Sequence, residues 1–253
     1  MRSRWNPPRP RRRPDAVLRL LVRTFSEVCL TVGTLIVLFV AYLLLWTGVR
    51  ADRAMDGEMA RLRESWSAPE RPAGHAAPSA PAPAPAAPPT PAARSPLTDG
   101  RPFAEMYVPR FGADWNKPVL EGTGPDTLKK GLGHYPGTAR PGETGNFSVA
   151  GHRRTYGDPF KDVPELRPGD AVIVKDSAAW YTYTVRVEPL RILPTETGVI
   201  DPVPGGSPFT APGRYLTLTT CEPEWGHSHR LVVWAELTGA RPAGQGPPEG
   251  LPR

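Results

Sequence analysis

Cysteine is almost absent from this chain: it has two, Cys29 in an apolar N-terminal segment and Cys221 towards the C-terminal end. No internal disulfide can therefore staple an exported folded region that holds Cys221 alone, and a lone thiol in an oxidising compartment must escape oxidation and mispairing. Its retention points to chemistry, although a buried cysteine can also serve as a small apolar side chain. Basic excess is equally scarce once the first 27 residues are set aside. Those hold eight arginines against Asp15 and Glu27, while the other 23 basic residues are balanced by 23 acidic ones. A neutral folded region with basic charge confined to one end argues against nucleic-acid binding. Internal repeats are lacking, helix signals are few in the C-terminal half, and long apolar runs are limited to one.

That run, Val28 to Val49, carries no charge. Its length corresponds to about 33 Å of helix, enough for a bilayer core. Arginines ahead of it and mixed charge behind it place the N-terminus in the cytoplasm and everything beyond Arg50 outside. Tyr42 and Trp46 fit an outer interfacial belt. The run exceeds a signal-peptide apolar region and no small-x-small cleavage site follows it, so an uncleaved anchor is expected. Cys29 then lies in the membrane.

Met55, Met59, Leu62 and Trp66 recur at spacings of four, three and four, which predicts a helix over 50–66, read as a solvated extracellular stub. Residues 67–100 turn to proline and alanine and form a disordered tether. At about 3.1 Å per residue it could reach on the order of 100 Å. Residues 241–253, with four prolines, read as a second disordered tail without a membrane anchor.

Residues 101–240 are left as one domain. Strands are expected at Phe103–Pro109, Asn146–Gly151, Ala171–Lys175, Tyr181–Leu193, Arg214–Cys221 and Leu231–Leu237, separated by Pro/Gly-rich connections. Short helices are expected near Pro125–Lys130 and Phe160–Leu166. Many short strands in such a domain predict an all-β sandwich or closed barrel.

Cys221 ends the probable strand Thr217-Leu218-Thr219-Thr220-Cys221, Arg230 follows nine residues later, and His152 lies upstream in Asn146-Phe147-Ser148-Val149-Ala150-Gly151-His152-Arg153. A thiol, an imidazole and a guanidinium can supply a nucleophile, an acid or base, and an oxyanion stabiliser. Together with Phe160, Leu166, Pro168, Gly169 and Asp170, these segments resemble, in order, the sortases, membrane-anchored cysteine transpeptidases of Gram-positive bacteria. The Gly133–Thr138 run, the single anchor and the Pro-rich tether are most similar to class E. The resemblance implies an eight-stranded β-barrel with Cys221 as nucleophile, His152 as general acid and base, and Arg230 as oxyanion stabiliser. It places Tyr135, Thr219 and Thr220 with the substrate; no cofactor and no metal ligand is expected, and the sequence does not settle a calcium requirement. The implied partners are surface proteins carrying a C-terminal sorting signal, Leu-Ala-x-Thr-Gly preferred, and a peptidoglycan-precursor amine as acceptor.

Alternatives fit less well. The Ser-His-Gly-Cys cluster of L,D-transpeptidases is missing around Cys221, and a papain-like hydrolase places its cysteine before its histidine. A pilus-building sortase usually carries a lid, which is not found. A non-catalytic surface protein with an incidental thiol is the remaining reading. Among the other histidines, His75 lies in the tether. His134 is read either as a substrate contact or as simply exposed, and His227 and His229 as solvated loop residues rather than metal ligands.

Overall fold

A computed structural model describes residues 14–67 and 96–251. The expectations for the start of the basic tail, for most of the tether with His75, and for the Trp46 side chain lie outside the described residues.

Helix α1 runs from Pro14 to Ser67. Its segment Leu18–Tyr42, mean hydropathy 2.0, is long and apolar enough to cross a membrane by length and composition. This segment starts ahead of the uncharged run and takes in Arg23 and Glu27, which pair at 2.9 Å one helical turn apart.

From Thr47 onward α1 forms one compact unit with the β-domain. Here the expectation of a solvated stub is corrected. Ala51, Met55, Met59 and Leu62 do share a side, but that side is buried, together with Glu58. Arg63 Nε donates to Glu105 Oε1 at 2.7 Å, and Lys175 Nζ sits 4.5 Å from the Trp66 ring centroid. Burying each methionine or leucine is worth about 1.5–3 kcal/mol, a gain that a solvated helix forgoes.

The β-domain contains β1 (Pro102–Tyr107), β2 (Asn116–Glu121), α2 (Pro125–Leu128), β3 (Leu132–His134), β4 (Gly145–Ala150), β5 (Ala171–Lys175), β6 (Ala179–Val185), β7 (Leu190–Ile192), β8 (Arg214–Glu222) and β9 (His229–Pro242). Eight strands follow one another as β6-β5-β1-β2-β3-β4-β8-β9, and a β6–β9 pairing closes the ring. β7 is a ninth strand outside it. The 14 residues of β9 allow this: residues 230–232 pair with β7, while residues 235–242 pair with β6.

Leu216 and Leu218 of β8 and Leu231, Val233 and Ala235 of β9 point into the barrel core with Phe147, Val149 and Tyr183. The alternate residues Val232 and Trp234 pack outside, against Ile192 and Val199 of the β6–β8 connection. That connection is pinned by buried polar groups. Asn146 Nδ2 donates to the Asp201 carbonyl at 3.0 Å, and Thr217 Oγ1 donates to Asn146 Oδ1 at 2.8 Å. β8 is thus covered on both faces.

The C-terminal segment also departs from expectation. It is held rather than disordered: Arg241 and Pro242 pair with Trp180 and Ala179, the Ala243 N–H donates to the Ala178 carbonyl at 2.9 Å, and Arg241 Nη1 donates to the Pro247 carbonyl at 2.9 Å.

Candidate active site

β4 and β8 are parallel neighbours, with Ala150 opposite Thr219. Two residues beyond that pair, the chain reaches His152 on one side and Cys221 on the other. Parallel strands end at the same rim, so residues far apart in sequence emerge together. The ends are tied: the Gly151 N–H donates to the Thr219 carbonyl at 3.1 Å, and Thr220 Oγ1 donates to the Gly151 carbonyl at 2.8 Å. Gly151 is required for space, because a Cβ there would lie 2.6 Å from the Phe160 ring.

β8 and β9 are antiparallel, with Cys221 directly opposite Arg230. Opposed residues share a face with their Cβ atoms about 4.5–5.5 Å apart. Both belong to the row Thr217, Thr219, Cys221 and Trp234, Val232, Arg230, which runs along the outside of the barrel wall. Arg230 Nη1 donates to the carbonyls of His229 (2.9 Å) and His227 (3.0 Å), which orients one arm of the guanidinium.

His152 is half-buried against Tyr156, with ring centroids 5.1 Å apart. Burial first, and then the positive charge of Lys129, hold its pKa below the usual imidazole value. The Arg153 guanidinium donates to the Cys221 carbonyl at 3.3 Å and pairs with Glu222. Arg154 pairs with Glu224 and lies 5.1 Å from the ring centroid of Trp225, which is 77% exposed at the tip of the β8–β9 turn.

The structure brings Tyr135 to Thr219, the phenol oxygen lying 2.9 Å from Thr219 Oγ1 on the same outer face as Cys221. Thr220 is buried on the opposite face, where its hydroxyl donates to the Gly151 carbonyl and ties β8 to β4. His134 is a correction. Only 1% exposed, it is neither a substrate contact nor a surface residue. Its Nδ1 lies 2.5 Å from Glu121 Oε2, and its Nε2 lies 2.9 Å from Thr138 Oγ1 and 3.1 Å from the Ala139 carbonyl. These contacts brace the turn after Tyr135. His134→Ala is expected to cost about 2–4 kcal/mol of stability in chemical denaturation, because the Glu121 carboxylate and the turn lose their partner together.

His227 is exposed, and His229 lies opposite Glu222, on the face away from Cys221. Its Nδ1 is 3.0 Å from Arg191 Nη2. Among the described residues no group of three or more His, Cys, Asp or Glu side chains could hold a metal ion. Tyr156 and Lys129 give no sequence signal for their place beside His152.

The closed barrel with β7 appended, and a cysteine and a histidine delivered to one rim by parallel strands, define a cysteine transpeptidase fold of the sortase kind. Residues 106–238, most of the barrel, match the sortase domain family model, and the chain belongs to the sortase family. Among characterised relatives it is 34% identical over 247 residues to sortase SrtE1 of Streptomyces coelicolor, covering 95% of this chain and 63% of that protein's length. It is 31% identical over 235 residues to SrtE2 of the same organism, covering 90% and 87%. The structure of sortase E from Streptomyces avermitilis is 60% identical and covers 61% of this chain and 99% of that one, with a TM-score of 0.58. Sortase E1 from Streptomyces coelicolor with a tripeptide in the active site is 36% identical, covering 60% and 96%, with a TM-score of 0.56. Class E is the group these relatives define.

Proposed function

We propose that this chain is a membrane-anchored class E transpeptidase that cleaves C-terminal sorting signals between Thr and Gly and joins the new carboxyl end to a cell-wall amine. The Cys221 thiolate attacks the Thr carbonyl carbon. The negative charge moves to the carbonyl oxygen, where Arg230 opposes it with a permanent charge. His152, as imidazolium, protonates the departing Gly amine as the C–N bond breaks, which leaves a thioester on Cys221. An amine of a peptidoglycan precursor then attacks the thioester and gives a proton to His152, and the thiolate leaves. The apolar segment of α1 anchors the enzyme, with the arginine-rich end in the cytoplasm and the barrel outside.

The observation that carries this reading is the register placing Cys221 opposite Arg230, with His152 drawn in along the parallel neighbour. Its test is incubation of the full chain, in detergent, with sorting-signal peptides and an amine acceptor. Mass spectrometry should detect the ligated product, and hydrolysis alone, or neither product, would overturn the reading.

Leu-Ala-x-Thr-Gly is the preferred signal, and Tyr135 favours it. Alanine at the second position carries a backbone N–H that proline lacks. The phenol oxygen can donate its hydrogen to Thr219 and still accept that N–H. One such bond, about 1–2 kcal/mol, corresponds to a roughly five- to thirty-fold preference in kcat/KM over Leu-Pro-x-Thr-Gly. Tyr135→Phe should abolish most of it. An unchanged ratio would remove the hydroxyl from recognition.

A further inference from the structure

We propose that the juxtamembrane part of α1 is a positioning element of the active site, in which Met55 braces the turn that sets Tyr156 against His152. This rests on His152 acting as the acid and base.

The turn after His152 is backbone-strained. Tyr156 (φ 54°), Gly157 (φ 78°) and Asp158 (φ 41°) are three consecutive residues in the left-handed region, and two of them are not glycine. Such a conformation persists only where its surroundings over-determine it. From within, the turn has the Asp158 N–H donating to the Thr155 carbonyl at 3.2 Å and the Phe160 N–H donating to the His152 carbonyl at 2.9 Å. Tyr156 is 38% exposed, so burial by the barrel does not hold its ring. Lys129 Nζ lies 5.9 Å from the Tyr156 ring centroid, Arg154 Nη1 lies 4.0 Å from Asp158 Oδ2, and α1 packs on the turn from outside. A Cβ on Gly157 would lie 2.5 Å from Met55 Cε and 3.0 Å from Asp52 Oδ1, so helix and turn touch with no room for a side chain between them.

The helix is itself held at points away from the turn. Glu58 Oε1 is 4.0 Å from Lys130 Nζ, Arg63 bonds the buried Glu105, and Trp66 lies under Lys175. Met55 is therefore presented to the turn by a helix fixed elsewhere. Through Gly157 and Tyr156 it acts on His152 without touching substrate.

The test uses the full chain in detergent, with transfer of a sorting-signal peptide to an amine as the assay. Met55→Asp should lower kcat about five- to twenty-fold while KM stays within about twofold, because the peptide groove is untouched. Met55→Leu should restore kcat to within about twofold. Tyr156→Ala should reproduce the loss, and Met55→Asp added to it should do little more, since both break one chain of contacts. An unchanged kcat in Met55→Asp, or losses that multiply in the double variant, would overturn the proposal. Should Met55→Asp melt below the assay temperature, Met55→Ala, expected to lose about threefold in kcat, decides in its place: retention of full kcat overturns the inference. His152→Ala, run alongside, separates the two levels. If it stays active the catalytic reading has failed, whereas an inactive His152→Ala beside a fully active Met55→Asp refutes the brace alone.

Discussion

Cys221→Ala is expected to leave neither cleavage nor transfer detectable, a fall of at least about 10³-fold, because the barrel domain holds no other thiol on which the acyl-enzyme could form. Cys29 cannot substitute. It lies on the apolar segment of α1 that is long enough to cross a membrane, in the compact unit that ends at Trp46. Intact-protein mass spectrometry offers a direct check: wild type incubated with peptide and no acceptor should gain the mass of the acyl fragment, and Cys221→Ala should gain nothing. Substantial turnover by the alanine variant would end the thiol mechanism.

The second large effect is expected at His152. His152→Ala should fall by about 10²–10⁴-fold, since both the departing amine and the incoming one need a proton carrier at the thiol. His227→Ala and His229→Ala should keep most of their activity. Strand alternation turns His229 away from Cys221, and His227 stands exposed in the turn. Damage from His229→Ala equal to that from His152→Ala would mean that the wrong base has been chosen. The pH profile carries a sign as well. Burial and Lys129 lower the His152 pKa, so its imidazolium is lost as pH rises through a value below the ordinary one. Lys129→Met removes one of the two causes and should move the alkaline limb of kcat to higher pH.

The sequence made the candidate site more legible than the architecture around it. The grouping of Cys221, Arg230 and His152 at one rim could be anticipated because a lone thiol and its ordered neighbours form a pattern. β8 and β5 could be read because Leu216, Leu218 and Thr220, or Val172, Ile173 and Val174, give a plain strand signal. β2 and β3 were hidden. Pro118 interrupts the first, and the second is only Leu132-Gly133-His134, too short for any period to register. The docking of α1 was half legible: the spacing of Met55, Met59 and Leu62 identified a face, but what covers a face is a tertiary fact. The ordering of residues 241–251 was masked by proline content, which speaks for disorder until a neighbouring strand is known to need that edge. His134 misled for a related reason. A polar residue beside a site looks exposed or functional, and only its burial and its bonds to Glu121, Thr138 and Ala139 reveal a brace.

The parallel pairing of β4 with β8 bears on how this protein becomes active. Ala150 and Thr219 meet across a crossover that holds β5, β6 and β7, so their contact is among the most non-local in the domain. Non-local pairings form late, after the intervening loop has been closed and its entropy lost. Until then Cys221 stands apart from His152 and, without the completed β8–β9 edge, from Arg230. The rim that groups these three side chains therefore forms in the same event that closes the barrel.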